Sequence, residues 1–266
     1  MINNRPIGVF DSGIGGLTVV KNLMDILPHE NIIYFGDIAR IPYGTKSRAT
    51  IQRFAAQTAK FLIDQEVKAI VIACNTISAI AKDTVKQIAG DIPVIDVISA
   101  GVSLVADLSN VGVIATPATI NSNAYALEIH KLNPKAEVYS KACGLFVPMI
   151  EEGFINGEIV TLVAKQYLEY FHDKSLEALI LGCTHYPIIK NNIAIELGSV
   201  KLIDPSLQAS RMLENLLKLN NLLNHKQSKR DHKFYVTDIP IKFKAIGEMF
   251  LQTQMEHLEI VNFDGY

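Results

Sequence analysis

The stretches Lys68-Ala-Ile-Val-Ile-Ala-Cys74-Asn-Thr76 and Glu177-Ala-Leu-Ile-Leu-Gly-Cys183-Thr-His185 lie 109 positions apart and share one pattern. In each, a charged residue precedes a short apolar run, and a cysteine follows the run directly. Such a run is typical of a strand that is buried on both faces of a parallel sheet. The two cysteines therefore take equivalent positions in two similar halves of the chain.

A series of four predicted strands occurs twice along the chain. Short apolar runs alternate with longer stretches of helical period, which predicts parallel α/β sheets. The first series comprises residues 7–10, 32–35, 69–73 and 94–95, and the second comprises residues 111–114, 138–140, 178–182 and 202–203. Further matches, of Gly8 with Gly112 at an offset of 104 and of Asp96 with Asp204 at an offset of 108, indicate an internal repeat.

The repeat predicts two pseudo-symmetric open parallel-sheet α/β domains with the active site in the cleft between them. Any two parallel-sheet domains show apolar runs at similar spacing, so the matched cysteines are the stronger evidence. We expect a first domain of residues 1–97 plus 207–266 and a second domain of residues 98–206.

The C-terminal segment has no counterpart in the repeat. The polar stretch 224–233 is most simply a solvated loop, while residues 234–237 are predicted to form a strand and residues 241–253 a helix. We expect this tail to close onto the first half, because it is too short to bury a core of its own.

Length and composition limit the classes of function. The chain has 266 residues, of which 49% are hydrophobic and 20% charged, as is usual for a globular protein. A formal charge of −2 and a pI near 6.4 provide no field that would attract nucleic acid or an anionic membrane surface. No apolar run reaches about 18 residues, and the N-terminal segment lacks the apolar core of a signal peptide. We therefore expect a cytoplasmic protein that binds neither nucleic acid nor a membrane.

The three cysteines form no CxxC spacing and cannot all be paired, so we expect free thiols in a reducing compartment. A free cysteine is usually a small buried hydrophobe. Cys143, which has no counterpart in the first half, is predicted to have that structural role. Cys74 and Cys183 differ from it, because ligands of open α/β sheets bind beyond the carboxyl ends of the strands, where both of these residues lie.

The residues around the two cysteines suggest acid-base chemistry. Asn75-Thr76 and Thr184-His185 are of types that cap helices, and a helix beginning there would favour a thiolate through its positive end. Asp11-Ser12 ends the first predicted strand and Asp37 lies just beyond the second, so both carboxylates could reach the cleft. One of them is expected to orient Cys74 or relay protons to it, as His185 would for Cys183.

Two thiols on opposite walls of a cleft suit the inversion of a carbon centre. Inversion removes a proton from one face of the carbon and delivers a proton to the other, and a thiolate and a thiol can exchange these roles with the direction of reaction. The α-proton of an amino acid is weakly acidic, so the site must also supply well-aimed hydrogen bonds and exclude water.

Other motifs have plainer interpretations. Gly13-Ile-Gly15-Gly16 resembles a dinucleotide-binding turn, but Thr18 stands where the third glycine is required, and a tight turn beside a carboxylate fits equally well. Ser12 lacks the GxSxG context of a hydrolytic nucleophile. Asp96 and Asp204 stand at predicted strand ends facing the cleft, but helix capping alone would explain them, and they are left out of the site. The remaining histidines lie in predicted helices or polar loops without HExxH or HxH spacing, so no metal is expected: His29, His130, His172, His225, His232 and His257.

Four segments of the sequence resemble the signatures of glutamate racemases: Asp11-Ser-Gly-Ile-Gly-Gly16, Pro42-Tyr-Gly44, Ala73-Cys-Asn-Thr76 and Gly182-Cys-Thr-His-Tyr-Pro187. Thr116-Pro-Ala-Thr119 and Phe146-Val-Pro-Met-Ile-Glu151 also resemble segments of that family. Without this resemblance, the segment at residues 42–44 could equally be only a turn.

The resemblance implies a cofactor-independent two-base mechanism, in which Cys74 acts on the α-proton of the D-isomer and Cys183 on that of the L-isomer. Asp11 and His185 would assist, and Asp37 and Glu151 would have helper roles. Glu152 stands beside Glu151, so the resemblance does not decide which of these two glutamates assists. The residues predicted to bind the substrate are Asp11, Ser12, Tyr43, Gly44, Asn75, Thr76, Thr119, Thr184 and His185. Most of these offer backbone amides or neutral donors, which can hold two carboxylates without an arginine.

The resemblance further implies that D-glutamate supplies cell-wall peptidoglycan and that the protein is a homodimer. Aspartate racemase, hydantoin racemase and maleate isomerase share the paired thiols and the two-domain plan, but the four signatures favour glutamate. A two-domain binding protein with passive thiols is a further alternative, and it leaves the equivalent cysteines unexplained.

Overall fold

Two parallel sheets form the framework of the protein in the computed structural model, which describes residues 4–224, 230–239 and 243–262. The first sheet has the order β10-β9-β2-β1-β3-β4 and the second the order β6-β5-β7-β8. The strands of the first sheet are β1 Ile7–Asp11, β2 Ile32–Gly36, β3 Ala69–Ile72, β4 Val94–Asp96, β9 Lys233–Val236 and β10 Leu258–Ile260. The strands of the second are β5 Asn110–Ala115, β6 Glu137–Ala142, β7 Ala178–Gly182 and β8 Lys201–Ile203.

Helices connect the strands and cover the sheets. They are α1 Leu17–Ile26, α2 Arg48–Asp64, α3 Asn75–Ala89, α4 Val97–Ser103, α5 Pro117–Asn121, α6 Ala124–Leu132, α7 Phe146–Glu151, α8 Glu158–Leu168, α9 Lys190–Leu197, α10 Pro205–Leu219 and α11 Phe243–Leu251. Short 3-10 helices occupy Ile38–Arg40, Tyr43–Thr45, Glu169–Phe171 and Tyr186–Ile189. None of the helices among the described residues combines the length and the apolar character that a bilayer crossing requires.

All eight strands predicted from the apolar runs are present, so the predicted fold class is confirmed. The central strands β1, β2, β3 and β7 are buried along their whole length, as expected for parallel strands with helices on both faces. The strand ends differ from the predicted ranges by a residue or two, for example at β6, which runs from Glu137 to Ala142.

The internal repeat is visible in the topology. The strand order β2-β1-β3-β4 of the first sheet equals the order β6-β5-β7-β8 of the second. Asp96 and Asp204, which end equivalent strands, cap α4 and α10 by accepting from the backbone amides of Ser99 and Ser206, each at 2.9 Å. The predicted capping role of both carboxylates is therefore confirmed. Cys74 follows β3 and Cys183 follows β7, so both cysteines have equivalent places in the two sheets.

The tail adds two strands to the first sheet. β9 pairs in parallel with β2, with Phe234 opposite Tyr34, and β10 pairs with β9. α11 connects these strands and packs against α1. Residues 225–229 of the predicted polar loop and residues 241–242 of the predicted helix lie outside the described part of the chain. The proposed domain limits at 97/98 and 206/207 stay a prediction.

A buried ion pair anchors the segment that leads into this tail. Lys68 Nζ lies 2.5 Å from Glu30 Oε2, and both side chains are almost fully buried. Glu30 Oε1 accepts from the backbone amide of Asn224 at 2.8 Å, and Lys68 Nζ donates to the carbonyl of Leu222 at 2.7 Å. Burial lowers the pKa of Lys68, whereas the hydrogen bond to Glu30 opposes that change. The pair thus ties the chain after α10 to the first half.

Replacing Lys68 with methionine should lower the free energy of unfolding by about 3–5 kcal/mol, because the carboxylate of Glu30 would be left buried without its cation. Urea unfolding followed by circular dichroism measures this change. Lys60→Met, at an exposed position of α2, serves as the control and should change the stability little. Equal stability of Lys68→Met and the unmodified chain would contradict the role given to the ion pair.

Candidate active site

A cavity of about 380 Å³ lies between the two halves, at the carboxyl ends of the strands. Its lining includes both Cys74 and Cys183, so the two sulfurs share one cavity. The other predicted site residues in the wall are Ser12, Tyr43, Gly44, Asn75, Thr76, Glu151, Thr184 and His185. Asp11, Asp37 and Thr119 are buried but are not part of the lining, and each lies behind a residue that is.

Cys74 is held by polar groups of the first half. Its sulfur lies 3.3 Å from the hydroxyl of Ser12, and the backbone amides of Ser12 and Ile77 donate to it. Burial and the nearby charge of Asp11 nevertheless outweigh these hydrogen bonds and raise the pKa of Cys74 to about 12. α3 begins directly after Cys74, and the amide of Ile77 in its first turn favours the thiolate as expected, but burial and Asp11 have the larger effect.

Cys183 lies beside an imidazole. The Nδ1 atom of His185 is 3.9 Å from the sulfur, and its Nε2 atom is 3.0 Å from Glu151 Oε1. Burial lowers the pKa of His185, but the hydrogen bonds and charges of Cys183 and Glu151 outweigh burial and raise it to about 10. Glu151, rather than the exposed Glu152, is the carboxylate next to His185.

The helix starts predicted from capping residues differ from those observed. α3 begins at Asn75 with Cys74 as its N-cap residue, so Asn75 and Thr76 are inside the helix instead of capping it. After Cys183 the chain forms a 3-10 helix containing Pro187, and α9 begins only at Lys190. Since no α-helix begins at Cys183, the predicted effect of a helix N-terminus on that sulfur was wrong.

Asn75 and Thr76 instead contact the second half. The side-chain oxygen of Asn75 accepts from the Tyr125 hydroxyl at 2.6 Å. The hydroxyl of Thr76 lies 3.0 Å from that of Thr116 and 3.3 Å from that of Thr119. Thr119 thus supports Thr76 from behind the wall. These contacts join α3 to the second half beside the cavity.

Asp37 organises another part of the wall without lining it. Its carboxylate accepts from the Tyr43 hydroxyl, from Arg40 Nε at 2.7 Å and from the Thr237 hydroxyl of the tail at 3.0 Å. Burial and the charge of Asp37 raise the pKa of Tyr43, so its phenol stays protonated. Asp37 therefore fixes Tyr43, the residue that reaches the cavity.

The turn at residues 13–16 needs glycine because of what packs against it. A Cβ atom on Gly15 would lie 2.6 Å from His185 Nδ1 and would also collide with the Thr184 hydroxyl. The turn hydrogen-bonds to Asp11, whose Oδ2 accepts from the amide of Gly16 at 2.9 Å. The close approach of the opposite half thus accounts for Gly15, and the side chain of Asp11 accounts for Gly16, where a Cβ atom would lie 2.5 Å from the Cβ of Asp11.

Sequence reasoning did not assign several residues of the wall to the site: Ile41, Pro42, Thr45, Thr116, Pro117, Gly144, Val147 and Pro148. Five of them, Pro42, Thr116, Pro117, Val147 and Pro148, lie inside the segments that resemble glutamate racemases, and this position was the available signal. None of the described lining residues is a lysine or an arginine. An acidic ligand would therefore be held by amides, hydroxyls and His185.

Comparisons with known proteins agree on the family to which the chain is similar. The family model described as Asp/Glu/Hydantoin racemase matches residues 12–213. A glutamate racemase of Neisseria meningitidis is 49% identical over 261 residues, which cover 97% of each chain. The crystal structure of glutamate racemase from Francisella tularensis subsp. tularensis SCHU S4 in complex with D-glutamate is 77% identical, covers 99% of both chains and has a TM-score of 0.97. The enzyme from Thermus thermophilus in complex with β-chloro-D-alanine is 40% identical, covers 98% of both chains and has a TM-score of 0.89.

Replacing Asp11 with asparagine should lower the pKa of Cys74 from about 12, because the charge that disfavours the thiolate is removed. At a fixed pH of about 8, a decrease of one unit in the pKa of Cys74 raises the fraction of thiolate about tenfold. The alkylation rate rises by the same factor, because the thiolate is the reactive form. Iodoacetamide labelling followed by peptide mass spectrometry measures the rate at Cys74. Asp25→Asn on the surface of α1 is the control, and slower or unchanged labelling of Cys74 in Asp11→Asn would contradict the electrostatic argument.

Proposed function

We propose that this chain, which belongs to the Asp/Glu/hydantoin racemase family and interconverts the L- and D-isomers of glutamate, moves the α-proton with the thiols of Cys74 and Cys183. The strongest support is geometric: equivalent strand ends of two similar halves present both sulfurs to one cavity. With one sulfur contributed by each half, the proposal assigns a base to each side of the bound α-carbon.

The proposed reaction exchanges one proton on each face. A thiolate removes the α-proton, and the resulting carbanion takes a proton from the thiol on the opposite face. The sulfur that began as the thiolate ends as the thiol, so the enzyme finishes ready for the reverse direction. Following the family resemblance, Cys183 acts on L-glutamate and Cys74 on D-glutamate.

The neighbours of each sulfur suggest different ways of assisting it. Burial lowers the pKa of His185, but the hydrogen bonds and charges of Cys183 and Glu151 raise it, which favours an imidazolium between these two partners. Cys74 lies instead near the carboxylate of Asp11, and burial together with that charge raises its pKa and favours the thiol. We propose that the imidazole assists Cys183, whereas the hydroxyl of Ser12 and two backbone amides assist Cys74.

Substrate binding is assigned to the neutral donors of the wall. Backbone amides and side chains at Ser12, Tyr43, Gly44, Asn75, Thr76 and Thr184 are proposed to hold the two carboxylates, with His185 nearby. The volume of about 380 Å³ is near the lower end of the range for small-molecule sites, which suits a compact amino acid. Exclusion of water from so small a cavity strengthens every hydrogen bond to the developing carbanion.

The product of the reaction suggests its use in the cell and its compartment. D-glutamate is the isomer that this family supplies for cell-wall peptidoglycan, and we propose the same use here, in the cytoplasm. All three cysteines are free, as a reducing compartment requires.

On the family resemblance we also propose a homodimer, for which light scattering should give twice the 29.4 kDa of one chain.

Incubation with L-glutamate in deuterium oxide, without added cofactor, should yield D-glutamate that carries deuterium at the α-carbon. Because the two sulfurs act from opposite faces, the remaining L-glutamate should keep its protium early in the reaction. Chiral chromatography with mass spectrometry measures both isomers, with L-aspartate as a parallel substrate that should react much more slowly. Retention of the α-hydrogen in the product would contradict transfer by two separate bases.

Cys74→Ala and Cys183→Ala should each reduce kcat by a factor of about 10² to 10⁴ or more, since each removes one of the two acid-base groups. Cys143→Ala is the matched control, because Cys143 is fully buried but does not line the cavity. Polarimetry at saturating glutamate compares the three variants. Loss of activity in Cys143→Ala alone, or full activity in either of the other two, would refute the assignment.

A further inference from the structure

The ring of His185 is in contact with the C-terminal tail. Phe250 of α11 lies with its ring centroid 5.6 Å from that of His185, and the two rings are inclined by 76°, which is an edge-to-face arrangement. Phe250 is 3% exposed and His185 is 5% exposed. A residue 65 positions further along the chain thus forms part of the environment of the imidazole.

A second contact confines the imidazole. The Cα of Gly15 approaches so closely that a Cβ atom there would lie 2.6 Å from His185 Nδ1 and 2.8 Å from Cε1. Gly15 follows β1 of the first sheet, and Phe250 lies between β9 and β10 of the same sheet. His185 belongs to the second half, so its ring is held by two parts of the opposite half.

α11 is itself closely packed against the first half. A Cβ atom on Gly247 would lie 2.5 Å from Met255 Cε, 3.3 Å from Leu17 Cδ1 and 3.6 Å from Ile14 Cδ1. Ile14 lies within the turn that hydrogen-bonds to Asp11, and Leu17 directly follows that turn. The position of Phe250 is therefore fixed relative to the residues that surround Cys74.

The orientation of His185 matters because both ring nitrogens are in use. Nδ1 faces the sulfur of Cys183 at 3.9 Å, and Nε2 faces Glu151 at 3.0 Å. The torsion that rotates an imidazole has a broad energy profile, so the side chain alone does not select one orientation. A turn of the ring would separate both nitrogens from their partners at once. An aromatic edge against the ring favours one orientation.

We propose that Phe250 is a positioning residue of this enzyme: it holds His185 in the orientation in which the imidazole bridges Cys183 and Glu151. The inference rests on the proposed two-cysteine mechanism and extends it to a residue outside the cavity. It also makes the two faces unequal, since α11 belongs to the tail and has no counterpart in the repeat. The effect of Phe250 is thus specific to the proton transfer at Cys183.

Kinetic isotope effects on the two enantiomers test this inference. Phe250→Ala should lower kcat by roughly 10- to 100-fold, because a misplaced acid-base group is costly. The slower step should be the transfer at Cys183. The isotope effect should therefore rise with α-deuterated L-glutamate, whose deuteron Cys183 removes, and fall towards unity with α-deuterated D-glutamate, whose deuteron leaves in the other step.

Phe243→Ala is the matched control. It removes the same buried ring from the same helix, two turns earlier, and Phe243 does not line the cavity. Both variants should lose thermal stability, but Phe243→Ala should keep the isotope effects of the unmodified enzyme on both enantiomers. Phe250→Leu, which retains most of the apolar volume, should fold more readily and change the isotope effects in the same direction by a smaller amount.

Two results would overturn the inference: isotope effects in Phe250→Ala and Phe250→Leu equal to those of the unmodified enzyme, or an equal change in Phe243→Ala. An isotope effect in Phe250→Ala that falls with α-deuterated L-glutamate and rises with α-deuterated D-glutamate would also contradict it. Failure of the proposed mechanism is recognised separately, because Cys74→Ala or Cys183→Ala would then keep full racemase activity.

Discussion

The backbone hydrogen bonds that pair β1 with β3 and β5 with β7 determine where the two sulfurs lie. In the first sheet Phe10 pairs with Ile72, two residues before Cys74, and in the second Ala115 pairs with Gly182, next to Cys183. Parallel strands end at the same edge of a sheet, so the residues that follow them are brought together by the sheet itself. Because both sheets have the same strand order, each sulfur reaches the cavity from an equivalent position.

The symmetry of the backbone does not extend to the groups around the sulfurs. Cys74 has a hydroxyl, two backbone amides and a nearby carboxylate, whereas Cys183 has an imidazole backed by Glu151. Burial affects the protonation of Cys74 and of His185 in opposite ways, since it disfavours a thiolate in one case and an imidazolium in the other. One duplicated framework therefore holds the two sulfurs in different chemical surroundings.

Much of this arrangement could be predicted from local patterns, and the remainder depends on contacts between distant residues. The apolar runs identified eight strands and placed Cys74 and Cys183 correctly, because burial on both faces leaves a strong local signal. The residues after Cys183 suggested a helix start, but Pro187 lies in a 3-10 helix instead. The contact of Thr237 with Asp37 joins residues 200 positions apart, and that of Phe250 with His185 joins the tail to the opposite half. No local pattern reports such pairings.

The late position of β9 in the chain has a consequence for biosynthesis. β2 obtains its outer neighbour only when residues 233–236 have left the ribosome, after the whole second half has been made. Until then the nascent protein presents an unpaired, apolar sheet edge, which is a template for pairing with other chains. A chaperone that shields this edge during translation would raise the yield of folded enzyme without touching any residue of the cavity.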